Sequence, residues 1–216
     1  MARYGKEHKE ATRTRILTQA GRRLKQDGID GSGVATLMAD AGLTNGAFYA
    51  HFASKEDLVT QVISSQLDAQ AERFAALSPG MAGVEEFIRL YLSPEHRDEV
   101  RDGCPSAALL DEITRGSDAT RDAYTRGVLH MIDGLAERVA PLDPASARMT
   151  VLSTFALMIG TVQLARTFTD RELSDAVLAQ GVTSALAILA QASGPQRSGG
   201  RRARRLSELP AVLRPR

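Results

Sequence analysis

The residue types able to do chemistry in this chain lie in two short stretches, and neither points to bond breaking. The first holds Thr44, Asn45, Tyr49, His51 and Lys55 within twelve positions, interleaved with Gly46, Ala47 and Ala50. Hydroxyls, an amide, an imidazole and an ammonium set among small residues suit hydrogen bonding to phosphates and base edges. The second holds the lone cysteine, Cys104, immediately before Pro105 and close to His96, Arg97 and Arg101. A proline at the first position of a helix sacrifices only an unused amide hydrogen, so Cys104 is expected at the helix N-cap. There the helix dipole favours thiolate, the reactive form. The sequence also admits a plainer reading, a small buried cysteine with no further role.

Other chemistries find no support. There is no GxxxxGK[ST] phosphate loop, no HExxH and no GxSxG. His8, His51, His96 and His130 are scattered, so neither a metal site nor a triad is expected. Glu85 and Glu86 are explained as the solvated face of an amphipathic helix. One cysteine forms no intramolecular disulfide. The expectation is a non-enzyme with no cofactor and no metal.

The elements that must position these residues read as helix after helix, an all-α chain of 216 residues. A first helix over about 7–26 carries Ile16, Leu17, Ala20 and Leu24 on one stripe. Its basic residues, Lys6, Lys9, Arg13, Arg15, Arg22, Arg23 and Lys25, make a candidate surface for nucleic acid. Ser32 is placed to cap a short helix to Asp40, Gly42 to break it, and Thr44 to cap a second short helix from Asn45 to about His51. Two short helices joined by a tight glycine turn form a helix-turn-helix, whose second helix is the one that enters the major groove. On that helix Phe48 and Phe52 share an inward face, while Gly46 and Ala50 lie opposite and allow close approach to bases. Thr44 offers free amides and a hydroxyl to a phosphate, and Lys55 lies one turn further on. Ser54 with Asp57 starts a long third helix to about Leu77 in the manner of a capping box.

Helices are expected beyond it at about 81–92, 105–114, 118–140, 144–166 and 170–192, with 93–103 as a charged connection. Residues 149–165 and 176–196 contain no charge. Serine, threonine, glutamine and glycine interrupt both runs, so no membrane span is expected. A helix apolar on more than one face needs a second partner. The last two helices are therefore expected to form a homodimer interface across a two-fold axis. Tyr91, Met131, Phe155, Met158 and Phe168 are candidates to line an apolar effector pocket, although such a stripe also suits plain core. Residues 193–216 are expected to be a disordered basic tail. Seven arginines lie there beside one acid, leaving 20 basic and 25 acidic residues in 1–196, a net −5. Nucleic-acid binding must then come from a local basic surface, not from overall charge. With no apolar leader after the start, a cytoplasmic location is expected.

The stretch AGLTNGAFYAHFASKEDL, 41–58, resembles the TetR family signature, in which an Ala-Gly turn leads to Tyr-x-His/Tyr-Phe and then Ser-Lys-Glu. The resemblance covers about residues 8–60. It implies a three-helix DNA-binding domain (1–53), a larger effector-binding and dimerisation domain (54–192), a homodimer and a palindromic operator in double-stranded DNA. It also implies DNA contacts from Thr44, Asn45, Gly46, Ala47, Tyr49, His51 and Lys55, with Thr36 near the backbone. A regulator, usually a repressor released by a small-molecule effector, is the implied role. Many members carry lysine at the position of Asn45 and threonine at that of Ala47; Asn45 can instead donate to the backbone or read an adenine edge. Further on, YLSPEHRD (91–98), GCPSAAL (103–109) and LARTFTDRELSD (164–175) resemble one branch of the family. In that branch a Gly-Cys often begins the sixth helix, and some members sense electrophiles through it.

Overall fold

The computed structural model describes residues 2–192, with side chains from Glu7 to Gln191; the tail read as disordered lies outside them. Among the described residues there is no strand. The helices are α1 (Ala2–Asp27), α2 (Val34–Asp40), α3 (Lys55–Ala75), α4 (Gly80–Tyr91), α5 (Pro94–Asp98), α6 (Pro105–Arg115), α7 (Asp118–Val139), α8 (Pro144–Thr167) and α9 (Arg171–Ala192). Single 3-10 helices run over Asn45–Ala50 and Val100–Asp102.

The long helices begin where their caps demand. Ser54 Oγ accepts from the Asp57 amide at 3.0 Å, and the Asp57 carboxylate accepts from the Ala53 amide at 2.9 Å. That reciprocal pair satisfies two amides at the start of α3 that no helical carbonyl reaches. Ser117 caps α7 and Asp143 caps α8 by accepting from the amides of Thr120 and Ser146.

Two local expectations are corrected. Ser32 does not cap α2: its hydroxyl donates to the Gly28 carbonyl at 2.8 Å, and Gly33 takes the cap position. Ser32 is therefore spent closing the end of α1, where Gly28 has φ +82. The second short helix is 3-10, not α. Thr44 sits at its cap position, yet its side chain makes no capping bond. Six residues are few enough for the tighter i to i+3 pattern, seen in Ala47 N donating to Thr44 O and His51 N to Phe48 O. Phe48 and Phe52 are nevertheless buried side by side, as the spacing predicts.

The connection at 93–103 is also more ordered than its charge suggests. Ser93 caps α5, with Pro94 in its first turn. Arg97, only 5% exposed, bonds Asp98 beside it and Ser174 and Asp175 on α9. Charge here signals a clamp between elements, not a solvated loop.

A single run of buried side chains joins the head of the molecule (Ile16, Leu24, Leu37, Phe48) to its body (Leu67, Ile88, Met131, Phe155). Helix α3 crosses α7 closely enough that a Cβ on Gly127 would lie 2.7 Å from that of Leu67. Helices α8 and α9 pack on each other and on the body by one face each. By length and composition alone both are apolar enough to cross a bilayer, with mean hydropathy 1.3 and 1.5. Their outer faces carry Ser153, Gln163, Gln180 and Thr183 among small residues, which suits a protein surface better than lipid.

Candidate nucleic-acid interface and internal cavity

The 3-10 segment presents its polar and small residues outward on an apolar base. Thr44, Asn45, Gly46 and Tyr49 are exposed, Tyr49 to 77%, while Phe48 beneath them is 1% exposed. The Tyr49 ring stands edge-on to Phe48 with centroids 5.1 Å apart. Ala47 is half-buried, and Thr36 on α2 is exposed. Gly46 has open space around it, with Thr44 Oγ1 the nearest atom to an added Cβ at 4.0 Å. The exposed side chains are backed by packed aromatic rings, which is what a groove-reading element requires.

Two of the expected contact residues are held back. Lys55 turns its ammonium toward the α1–α2 connection and donates to Ile29 O at 2.6 Å. His51 is half-buried, and burial lowers its pKa, with Lys9 and Arg13 adding to the effect. Its carbonyl accepts from Arg13 at 2.6 Å, and Arg13 also bonds Gln61. The basic run of α1 divides along its length. Arg22 pairs with Asp102, and Arg23 makes a two-point bond to Asp40 at 2.7 and 2.9 Å that ties α2 to α1. Lys25 is buried. Of the basic residues with described side chains, Lys9 and Arg15 are exposed, whereas Arg22 and Lys25 meet the body and Arg23 meets α2.

A second feature lies behind α1: a cavity of about 500 Å³ between α1, α3, α4 and the start of α6. Tyr91, one of the candidate lining residues, borders it, and so does Cys104. Met131, Phe155 and Met158 do not. They are at most 3% exposed in the packed core, and the void bordered by Phe155 and Met158 holds only about 10 Å³. Their spacing marked burial, which a pocket wall and a core share.

Cys104 takes the N-cap position of α6, as its place before Pro105 predicts, and is 5% exposed. Its amide donates to His96 Nε2 at 3.0 Å, while the other ring nitrogen meets the Tyr91 carbonyl at 2.6 Å. The imidazole is therefore neutral with its proton on Nδ1. Arg97, expected near the thiol, points instead to α9. In its place stands Lys25, whose ammonium donates to Gly103 O at 2.7 Å. Burial pushes Lys25 down to about 8. Sequence reasoning counted Lys25 as surface charge; its signal was the four-residue spacing Leu17, Gly21, Lys25 along the buried side of α1. Glu112, near the end of α6, was also missed. Its carboxylate accepts from the amides of Ile29 at 2.6 Å and Asp30 at 3.3 Å, the free donors just past the end of α1. No sequence pattern announces that contact.

The His96 arrangement has a pH consequence. Burial lowers the His96 pKa below 6.5, the Tyr91 bond opposes this, and Arg166, Lys25 and Arg73 add to the lowering. The unfolded chain takes up the proton near pH 6.5. Stability from this group is thus full above about pH 6.5 and is lost as pH falls through the folded pKa. Urea denaturation is expected to show a falling midpoint between about pH 7 and pH 5. His96→Gln should flatten the dependence, leaving the part His51 contributes with the same sign. An unchanged slope in that variant would remove His96 as its source.

Comparison with known proteins supports the fold and the head separately. Residues 16–62 match the sequence profile described as bacterial regulatory proteins, tetR family. Over 62 residues the chain is 37% identical to the HTH-type transcriptional regulator AcrR of Shigella flexneri, covering 29% of each chain. The chain therefore aligns with less than a third of that relative's length. Two similar folds are reduced E. coli NemR and SCO4454, a TetR-family transcriptional regulator from Streptomyces coelicolor. NemR superposes with TM-score 0.70 at 19% identity, covering 81% of this chain and 95% of its own. SCO4454 gives TM-score 0.61 at 21% identity, covering 85% and 96%.

Proposed function

We propose that this chain is a DNA-binding transcriptional regulator of the TetR/AcrR type, a cytoplasmic homodimeric repressor that leaves a palindromic operator when the cavity behind α1 is occupied. The observation that carries the reading is the exposed Thr44–Tyr49 surface seated on buried Phe48 and Phe52, inside the segment that matches the family. We divide the chain into a reading head, 1–53, an effector and dimerisation body, 54–192, and a basic tail, 193–216. Thr44, Asn45, Gly46, Ala47 and Tyr49 meet the major groove, and Thr36 meets the backbone. His51 and Lys55 act mainly by holding the head to α1 and to the body.

The outer faces of α8 and α9 supply the two-fold contact. Small side chains at Ala156, Gly160, Ala179 and Ala187 are exposed along them, beside the large apolar groups Met149 and Leu164. Such faces allow two copies to approach closely and bury apolar area. The dimer sets the spacing of the two heads, about one helical turn of DNA or a multiple apart.

Helix α6 links cavity to head. Its first turn borders the cavity at Cys104 and Pro105, and Glu112 grips the turn that follows α1. Lys25 ties α1 to Gly103 at the same cavity. An occupant that displaces the start of α6 strains both ties, and α1 carries α2 with it through Arg23 and Asp40. Occupancy then favours a conformer whose heads no longer match the operator. Glu112→Ala is expected to lower stability by about 2 kcal/mol, the value of a charged hydrogen bond to backbone. It should also reduce the ratio of operator affinities without and with effector. A normal ratio in anisotropy titrations would refute this route.

A covalent trigger is the second reading, favoured by Lys25 and His96 beside the cavity-lining Cys104. One experiment covers both: anisotropy on DNA from the chain's own upstream region, at fixed salt with nonspecific competitor, with and without a quinone. Binding lost in wild type but kept in Cys104→Ser supports the thiol trigger. Binding indifferent to quinone leaves the reversible effector. No specific binding to operator-length DNA would sink the regulator assignment for this surface.

A further inference from the structure

The cavity behind α1 has two kinds of wall. Phe74, Phe87 and Tyr91 form a continuous aromatic row, with centroids 5.4 and 5.8 Å apart. Lining the same space are Gln66, Gln70 and Tyr91, each with a polar atom buried just behind the wall. The Oε1 atoms of Gln66 and Gln70 are buried without a hydrogen-bond partner, and the Tyr91 hydroxyl has the Cys104 thiol as its neighbour but no oxygen or nitrogen partner. Tyr91 itself is only 4% exposed. Lys25, 7% exposed, reaches the cavity with a carbonyl as its bonded neighbour, and no carboxylate stands within ion-pair distance among the described residues. The acids at the rim are otherwise placed: Asp102 is held by Arg22, while Glu95 and Glu99 are exposed.

A buried ammonium with no carboxylate in contact and buried acceptors without donors each cost free energy. That their residues line one cavity of about 500 Å³, a size suited to a small ligand, points to an occupant that completes them. Its chemistry follows from the walls. A flat ring lies along the aromatic row, one anionic group meets Lys25, and a hydroxyl or amine donates to glutamine oxygens. Resting on the reading of this cavity as the effector site, we propose that it binds a small aromatic carboxylate bearing a hydroxyl or amino substituent, paired with Lys25 and Tyr91 and anchored at Gln66 or Gln70.

Calorimetry on the full-length protein tests this with 4-hydroxybenzoate and 6-hydroxy-2-naphthoate, each beside its uncharged amide, and with octanoate. At least one hydroxy acid is expected to bind about tenfold or more tightly than its amide, and more tightly than octanoate. Near pH 8, where Lys25 is about half protonated, the acid should take up protons on binding, read from titrations in buffers of different ionisation enthalpy. The amide should not. Lys25→Met should abolish the preference for acid over amide, and the proton uptake of wild type keeps the test alive if that variant folds poorly. Equal binding of acid and amide, a preference that survives Lys25→Met, better binding of octanoate, or no binding of either hydroxy acid would each overturn the proposal. Operator release is scored separately. Lys25-dependent binding of the acid to a protein that stays on DNA sinks the effector reading and leaves the ligand assignment standing. Release by an uncharged compound, without acid binding, does the reverse.

Discussion

Gly46→Glu is expected to weaken operator binding by about a hundredfold or more while leaving thermal stability within about 0.5 kcal/mol of wild type. The stability half follows from space. Gly46 is exposed, it is not among the glycines with positive φ, and the nearest atom to an added Cβ is 4.0 Å away. The binding half follows from position. Gly46 lies on the outward side of the 3-10 segment, where backbone and bases are to come close, so a longer side chain holds the two apart. A carboxylate there also faces phosphates and the acceptor-rich edges of purines. One spoiled contact costs about 1–3 kcal/mol, and a two-fold dimer incurs it at both heads. Anisotropy on operator DNA and a thermal melt on the same sample check both halves. Full affinity with Glu at this position would mean that the segment does not face DNA. Phe48→Ala makes the contrast: it too abolishes binding, but by emptying the base of the head, at about 3–5 kcal/mol of stability.

Arg166→Met should lower unfolding free energy by about 3–5 kcal/mol, less than three full charge-assisted bonds to main-chain oxygens would sum to, because the guanidinium is only half-buried. The guanidinium of this half-buried α8 residue donates from Nε to Arg97 O at 3.0 Å, from Nη2 to His96 O at 2.9 Å and from Nη1 to Ala107 O at 2.7 Å. The first two are carbonyls of α5, and the third lies in the first turn of α6. One side chain thus fixes both short helices that frame the cavity mouth, and its loss leaves three acceptors to find water. For a chain of this size the melting temperature should fall by about 10 °C. Arg166→Lys should recover less than half, since an ammonium lacks the planar fork that reaches three diverging oxygens. A loss below about 1 kcal/mol for Arg166→Met would show that water replaces the guanidinium without penalty. Because α5 and α6 also present His96 and Cys104, the same variant is expected to blunt any effector response before it unfolds the protein.

How legible the fold was depended on how local its causes are. The Ser54 cap, the extents of the longer helices and the Phe48–Phe52 face were read correctly because each depends on residues three or four apart, and such neighbours meet on a helix whatever surrounds it. Ser32 misled because a serine at a helix start and one at a helix end have the same local appearance. Its hydroxyl went to Gly28 O, a partner made available only by the left-handed turn at Gly28. Lys55 and Lys25 were read as surface charge because lysine is usually solvated. Each reaches a carbonyl far along the chain, Ile29 O and Gly103 O, and no pattern within one helix encodes that distance.

The sequence by itself determined the all-helical class, the N-terminal unit with its outward Thr44–Tyr49 surface, and the placing of Cys104 at the start of a helix. These follow from periodicity, turn chemistry and a short motif. Tertiary structure alone decided where empty space remains. A stripe such as Met131, Phe155 and Met158 declares that it will be buried, but whether burial ends in a packed core or at a void depends on how closely neighbouring helices approach. Here α7 and α8 close on each other, while α1, α3, α4 and the start of α6 stand apart around Lys25, Tyr91 and Cys104. The candidate effector site belongs to that gap between helices, a property of their packing that no single segment carries.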